Sequence, residues 1–490
     1  MNRPKQFSRF SINLLLAACL LTTSSYAQVK KDIQLPELGD TSSGMFSLEK
    51  EYQLGRAWLK VFRSRVHVVS DPLLQDYIED LTYKLATYSE LKDRRLDIMM
   101  VNNRSINAFA VPGGVIGVHN GLLLQADTEA QLASVLAHEL GHLSQRHFAR
   151  SIEVQKRNTI PNMAGLLAGI ILAATAGGDA GMAAIAATQA ANLQNQLRYS
   201  RLHEQEADRV GMQTMVRADM DPSAAAGMFE IMQRSYRYAS NRPPEFLLSH
   251  PVTESRISDA RNRSRQYPRK MYTDNPHFQL MRTRVELSFI GNNNDAVKRF
   301  RSKLSANTRY PDADQYGLVL ALTANSEFDE AQMLLNTLRA ATPGELSYLI
   351  AQVELDIASG KLREAIDLLN KALSLSPNNH PLTMSLANAL LKANQPHRAE
   401  QVLKEHATRK PNDPSIWYLL AETHGLAGNI VGVHQARAEY FVLNGVLDKA
   451  AKQLTYALPL VKQDHLTTVK INERIKQIKQ MEVTMKNLSL

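Results

Sequence analysis

Three series of residues recur at a single period in the second half of the chain. Ala331, Ala365 and Ala399 lie 34 residues apart, as do Leu335, Leu369 and Leu403, and again Pro343, Pro377 and Pro411. One unit of this length carries too few apolar residues to bury its own face, so neighbouring units must stack to make a continuous core. A further series, Asn292, Ser326, Gly360, Asn394 and Gly428, supplies turn residues between the two helices of each unit, with Gly and Asn suited to a left-handed backbone. The second half is therefore expected to be an all-α solenoid of helix pairs. Ile471, Ile475 and Ile478 share one face of a charged final helix, which fits a cap on the last unit.

The offsets of alanine, leucine and proline, together with Trp417 and Leu420 in a first helix, resemble the tetratricopeptide repeat. On that resemblance the array covers residues 276–460 and its capping helix residues 461–490. The 490-residue length leaves room for a second folded unit upstream, read here as residues 48–270. A hydrophobic content of 44% is ample for packed cores and excludes collagen-like, disordered and short disulfide-rich chains.

The N-terminus carries Arg3, Lys5 and Arg9 ahead of an apolar run over residues 14–21, and Ser25-Tyr26-Ala27 then offers small residues at both positions of a secretory cleavage site. Residues 1–27 read as a signal peptide cleaved after Ala27, and the polar residues 28–47 as a flexible lead. The alternative is a lipoprotein anchored through Cys19, the single cysteine, but the apolar run continues past it to Leu21. The net charge of +9 includes the three leader residues and is otherwise spread without a basic block, so no nucleic-acid partner is expected. Residues 163–176 are apolar or small, too few for a membrane span of about 20 residues. They read as a buried or cleft-covering helix pair, with a mobile lid or membrane-touching hairpin as the other reading.

Residues 129–150 read as one long helix that carries His138-Glu139-Leu140-Gly141-His142. Residues four apart share one helix face about 6 Å apart along the axis, so both imidazoles can reach one Zn2+ per subunit. Glu139 then faces the remaining coordination position, where it can take a proton from water acidified by the metal. Gln145 and Phe148 occupy the places of Gly and His in an extended three-histidine motif, so the third ligand lies elsewhere. His147 is turned about 140° from His142 on such a helix and is left for a supporting or surface position. Glu204 and Asp208 share a face of a later helix: Glu204 is the expected ligand, with Asp208 behind a ligating histidine and His203 still open as a ligand. Glu206 faces the opposite side.

These motifs, with Asn107-Ala108-Phe109-Ala110 and Pro112-Gly113-Gly114 upstream and Ser249-His250-Pro251 followed by Arg256 downstream, resemble the M48 peptidase family over most of residues 48–260. The resemblance implies an α+β zincin-type metalloprotease domain, mostly helical with a small sheet, and zinc-dependent endopeptidase activity. Joined to a leader in front and repeats behind, it also implies a periplasmic place. The expected partners are the β-barrel assembly machinery and misassembled outer-membrane proteins. No transmembrane span is expected in the mature chain. Asn107, Ala108, Phe109 and Ala110 are either a substrate-binding edge strand or a plain interior strand. His250 either donates to the oxyanion or silences the site as a fourth ligand; Arg256 either stabilises the oxyanion or holds an acid. The rival function is a repeat-based adaptor or chaperone with latent or rare proteolysis. On this reading a chain ending near Pro268 should keep a folded metal site.

Overall fold

The computed structural model describes residues 47–154, 201–238, 245–268 and 270–487. Residues 1–27, read above as a signal peptide with Cys19 inside it, nearly all of the expected lead, and the apolar segment 163–176 lie outside the described residues.

Helix α1 (Leu48–Arg63) starts where the Ser47 side chain accepts from the Lys50 amide. Its Trp58 and Phe62 stack at 4.6 Å and meet Phe109 edge-on, so α1 covers one face of the sheet. Helix α2 (Pro72–Tyr88) begins at Asp71, which caps the Leu73 and Leu74 amides, with Pro72 in the first turn where no amide is missed. Strands β1 (Asp97–Val101), β2 (Ala108–Val111) and β3 (Val115–His119) form one sheet in the order β1-β3-β2. β1 runs parallel to β3 and β2 antiparallel to it, with Ala108 opposite Val118 and Val111 opposite Val115. Gly113 and Gly114 make the β2–β3 turn at φ of 80° and 78°, and a side chain on Gly113 would strike the Glu51 carbonyl of α1.

After α3 (Asn120–Gln125), helix α4 (Glu129–Ser144) is capped by Thr128 and buried on all sides from Leu132 to His142. The single helix expected over 129–150 is broken. Arg146 adopts φ 51°, held by two hydrogen bonds to Glu51, and a separate α5 (His147–Val154) follows. Helices α6 (Arg201–Arg217), α7 (Ala224–Tyr238), α8 (Glu245–Ser249) and α9 (Glu254–Ser264) complete the first half.

The repeats are the helix pairs α10 (Pro276–Ser288) and α11 (Asn293–Ser305), α12 (Pro311–Ala324) and α13 (Phe328–Ala341), α14 (Leu346–Ala358) and α15 (Leu362–Leu375), α16 (His380–Lys392) and α17 (Pro396–Arg409), and α18 (Pro414–Leu426) and α19 (Ile430–Leu443). Helix α20 (Leu447–Ala457), a 3-10 turn and α21 (His465–Asn487) close the array. The recurring Ala331, Ala365, Ala399, Leu335, Leu369 and Leu403 are all fully buried between pairs. Ser326, Gly360, Asn394 and Gly428 take the left-handed turn, but Asn292 does not. It sits at φ −147° and caps α11 by accepting from Asp295 N, the other local use of a short amide side chain.

The two halves share one core. Phe278, Met281 and Val285 of α10 pack in the same apolar cluster as Leu73, Tyr77, Leu122 and Leu123, a cluster that continues through the repeats to Ala399. Polar contacts fasten the same contact region: Arg284 to Asp71 at 2.7 Å, Asn275 to Glu129 at 2.8 Å and Lys410 to Glu79 at 2.8 Å. At the far end, Met485 of α21 packs on the Trp58 cluster. A chain ending at Pro268 is therefore expected to lose apolar neighbours, since α2 and α3 pack in the same cluster as the first repeat helix.

Candidate metal centre

Helix α4 sets His138 and His142 one turn apart with their Nε2 atoms 3.0 Å from each other. Helix α6 crosses it closely because small residues face each other. A Cβ on Gly141 would meet the Ala207 carbonyl oxygen at 2.9 Å, and one on Gly211 the Ala137 carbonyl at 3.0 Å. That close approach brings Glu204 to the histidines, with Oε2 3.6 Å from His138 Nε2 and Oε1 3.4 Å from His142 Nε2. His250, just beyond α8, adds Nδ1 at 3.4 Å from His138 Nε2 and 3.0 Å from Glu204 Oε1.

All four side chains are buried, and one donor atom from each lies within 4.8 Å of the others. Zinc bonds of 2.0–2.1 Å in a tetrahedron require donors about 3.4 Å apart, and the separations given above, 3.0 to 3.6 Å, bracket that edge length. The residues present fit a zinc ion. Burial by itself would depress the His138 imidazole, but Asp208 and Glu204 outweigh it and raise it to about 9. His142, where burial prevails, is lowered to about 3. Burial opposes ionisation of Glu204, yet the surrounding histidines hold its carboxyl well below the usual range.

Around these donors stand supporting groups. Asp208 Oδ1 is 2.9 Å from His138 Nδ1. Arg256 grips Asp208 with two bonds of 2.7 Å and reaches Glu204 Oε2 at 2.9 Å. These contacts are those of the second of its two expected fates, holding an acid. His147, freed by the break at Arg146, is fully buried with Nδ1 2.8 Å from His142 Nδ1 and Nε2 3.1 Å from Glu206. His203 stacks on His147 at 4.3 Å, so neither His203 nor Glu206 joins the four donors.

Glu139 lies beside them, nearly inaccessible, with Oε1 3.7 Å from His250 Nε2. Burial raises its carboxyl, and the Ala110 amide of β2 donates to it. Among the described residues β2 has β3 as its only neighbour in the sheet, which puts Ala108, Phe109 and Ala110 at an edge. Asn107 precedes the strand, its carbonyl accepting from His119 N at 3.0 Å. The Phe109 ring packs into the Trp58 cluster, leaving the strand's main chain as the part that faces the site.

The sequence reading missed Phe246, which stacks on His250 at 4.8 Å and meets His138 edge-on at 6.2 Å. It also missed the glycine crossing, for which the small residues Ala207 and Gly211, three and seven positions after Glu204, were an available signal.

The model for peptidase family M48 matches residues 72–264, and a tetratricopeptide repeat model matches residues 356–423. The "Beta-barrel assembly-enhancing protease" of Escherichia coli O157:H7 is 35% identical over 98% of this chain and 99% of its own length. The chain belongs to peptidase family M48. Other M48 relatives include the "Putative beta-barrel assembly-enhancing protease" of Vibrio cholerae, 36% identical over 96% of this chain and 97% of its own. The "Metalloprotease LoiP" of Escherichia coli (strain K12) is 25% identical over 50% of this chain but 95% of its own length. As an M48 member the chain is a zinc-dependent metalloendopeptidase with a tetratricopeptide array. Among the described residues no helix is long and apolar enough to cross a membrane.

Proposed function

We propose that this endopeptidase works in the periplasm on misassembled outer-membrane β-barrel proteins, beside the β-barrel assembly machinery, with His138, His142 and Glu204 holding zinc and Glu139 as general base. The observation that carries the site assignment is the buried Glu139 carboxylate, hydrogen-bonded to the Ala110 amide of an edge strand and adjoining the four-donor cluster. The leader-like N-terminus and the names of the full-length relatives support the location and substrate class.

Bound zinc would polarise the scissile carbonyl and acidify the attacking water. An extended substrate adds its main chain to β2, which brings one peptide carbonyl over the donors. Glu139 takes the water's proton and delivers it to the departing amine, aided by a carboxyl that burial makes more basic. Asp208 fixes His138 with Nε2 toward the metal, and Arg256 keeps both acids ionised.

His250 Nδ1 fills the position that water and substrate carbonyl need, so it restrains the enzyme until it withdraws. His250→Ala should raise turnover of a model substrate with zinc retained; a fall in turnover would assign His250 to the oxyanion instead. For the core assignment, His138→Ala, His142→Ala and Glu204→Ala should lose stoichiometric zinc, while Glu139→Gln keeps it and loses casein cleavage. Full zinc in the Glu204 variant would refute the ligand set.

A further inference from the structure

We propose that His147 is a positioning residue of the metal centre, accepting the outer ring proton of His142 and donating its own to Glu206, and that the Glu51–Arg146 pair sets it in place; this rests on the metallopeptidase reading above.

The direction of both hydrogen bonds follows from the donor geometry. His142 turns Nε2 to the other donors, 3.0 Å from His138 Nε2 and 3.4 Å from Glu204 Oε1. A neutral imidazole that binds metal through Nε2 carries its proton on Nδ1, and in His142 that atom lies 2.8 Å from His147 Nδ1. His147 therefore accepts there, which leaves its own proton on Nε2, 3.1 Å from Glu206 Oε2. Arg150 Nη1 holds the same carboxylate oxygen at 2.9 Å. Both histidine ligands thus end on a carboxylate, His138 directly on Asp208 at 2.9 Å and His142 through one imidazole. Rings anchored in this way keep one tautomer and one orientation toward the metal. His203 stacks on His147 at 4.3 Å with the planes 11° apart, which confines the intermediate ring.

His147 reaches His142 because the chain turns at Arg146. The turn needs φ 51°, which L side chains rarely adopt and glycine takes without strain. An arginine at this position is accounted for by its guanidinium, which makes bonds of 3.1 and 2.8 Å to the buried Glu51 of α1. Phe148, the next residue after His147, is buried in the Trp58 cluster of the same helix. Helix α1 carries none of the four donors, yet it fixes the orientation of one of them.

The test measures zinc affinity of the mature full chain by competition with a chelator, beside the Tm of the metal-free chain. His147→Leu keeps the bulk but accepts no proton, and zinc should weaken about 10- to 100-fold. His147→Asn sets an amide oxygen near the place of Nδ1 and should restore most of that loss; a side chain that only fills space would be replaced better by Leu. If His147→Leu does not fold, Glu206→Ala at its half-buried position decides, and should weaken zinc severalfold with little change in the metal-free Tm. Wild-type affinity in either variant, or equal losses in His147→Asn and His147→Leu, overturns the positioning role alone. Arg146→Ala should weaken zinc more than Arg146→Gly, because only glycine keeps the left-handed turn without Glu51. Equal affinities in that pair would overturn the part given to Glu51 and Arg146. A wild-type chain that binds no stoichiometric zinc would overturn the metallopeptidase reading beneath both.

Discussion

Arg256 shows how much of this site depends on residues that touch neither metal nor substrate. Its guanidinium offers a planar fork, and one carboxylate, Asp208, accepts both prongs while Glu204 takes the remaining nitrogen. Lysine has no such fork, so Arg256→Lys should weaken zinc about 10- to 100-fold in competition with a chelator. An unchanged affinity would show that Asp208 and Glu204 are held without it. The motif residues His138, Glu139 and His142 were legible because helical spacing alone puts them together. Arg256 was left between two roles because a lone arginine's partners are set by folding. A second residue-scale expectation concerns Asp76 on α2. Burial, reinforced by Asp80, raises its carboxyl from 3.8 to about 6 despite Lys410. A carboxyl that holds its proton more tightly when folded destabilises the fold once ionised: the penalty is absent below about pH 4, grows up to about pH 6 and is full above it. Asp76→Asn should therefore raise Tm at pH 7.5 and change it little at pH 4; equal shifts at both pH values would contradict this.

At the scale of elements, the decisive event is the α4–α6 crossing. Gly141 and Gly211 remove the two Cβ atoms that would hold the helices apart, and Glu204 reaches the histidines only at that separation. Gly211→Ala should cost about 1–3 kcal/mol of stability by overpacking and lower zinc affinity as well. Chemical denaturation and zinc titration of the same variant check both, and a stable variant with full affinity would show that the helices can yield. The break after α4 teaches the converse lesson. Nothing in the periodicity of residues 129–150 marks Arg146 as a stop, and its left-handed conformation is fixed by Glu51, 95 positions earlier. That contact turns His147 toward His142, where helical spacing had pointed it away. The β2 edge was half legible: composition announced a strand, but whether a strand is edge or interior depends on what pairs with it.

For the whole molecule, the repeats complete the peptidase half, since the core around α2 and α3 is closed by α10. A chain ending at Pro268 exposes Leu73, Leu74, Leu122 and Leu123, and it should aggregate or unfold with loss of bound zinc. A soluble, monomeric, zinc-loaded fragment would contradict this. The sequence by itself determined what repeats locally or by a fixed period: the solenoid, its left-handed turns apart from Asn292, and a two-histidine helix with its glutamate. Such features follow from backbone periodicity and conformational preference, which neighbours in the chain already specify. Only the tertiary structure brought the distant side chains together: His203 onto His147 and away from the four donors, Arg256 onto the acids, His250 among the donors, Phe246 against His138. Those choices depend on helix-crossing distances and on which buried polar groups find partners, and these exist only once residues far apart in sequence are packed together.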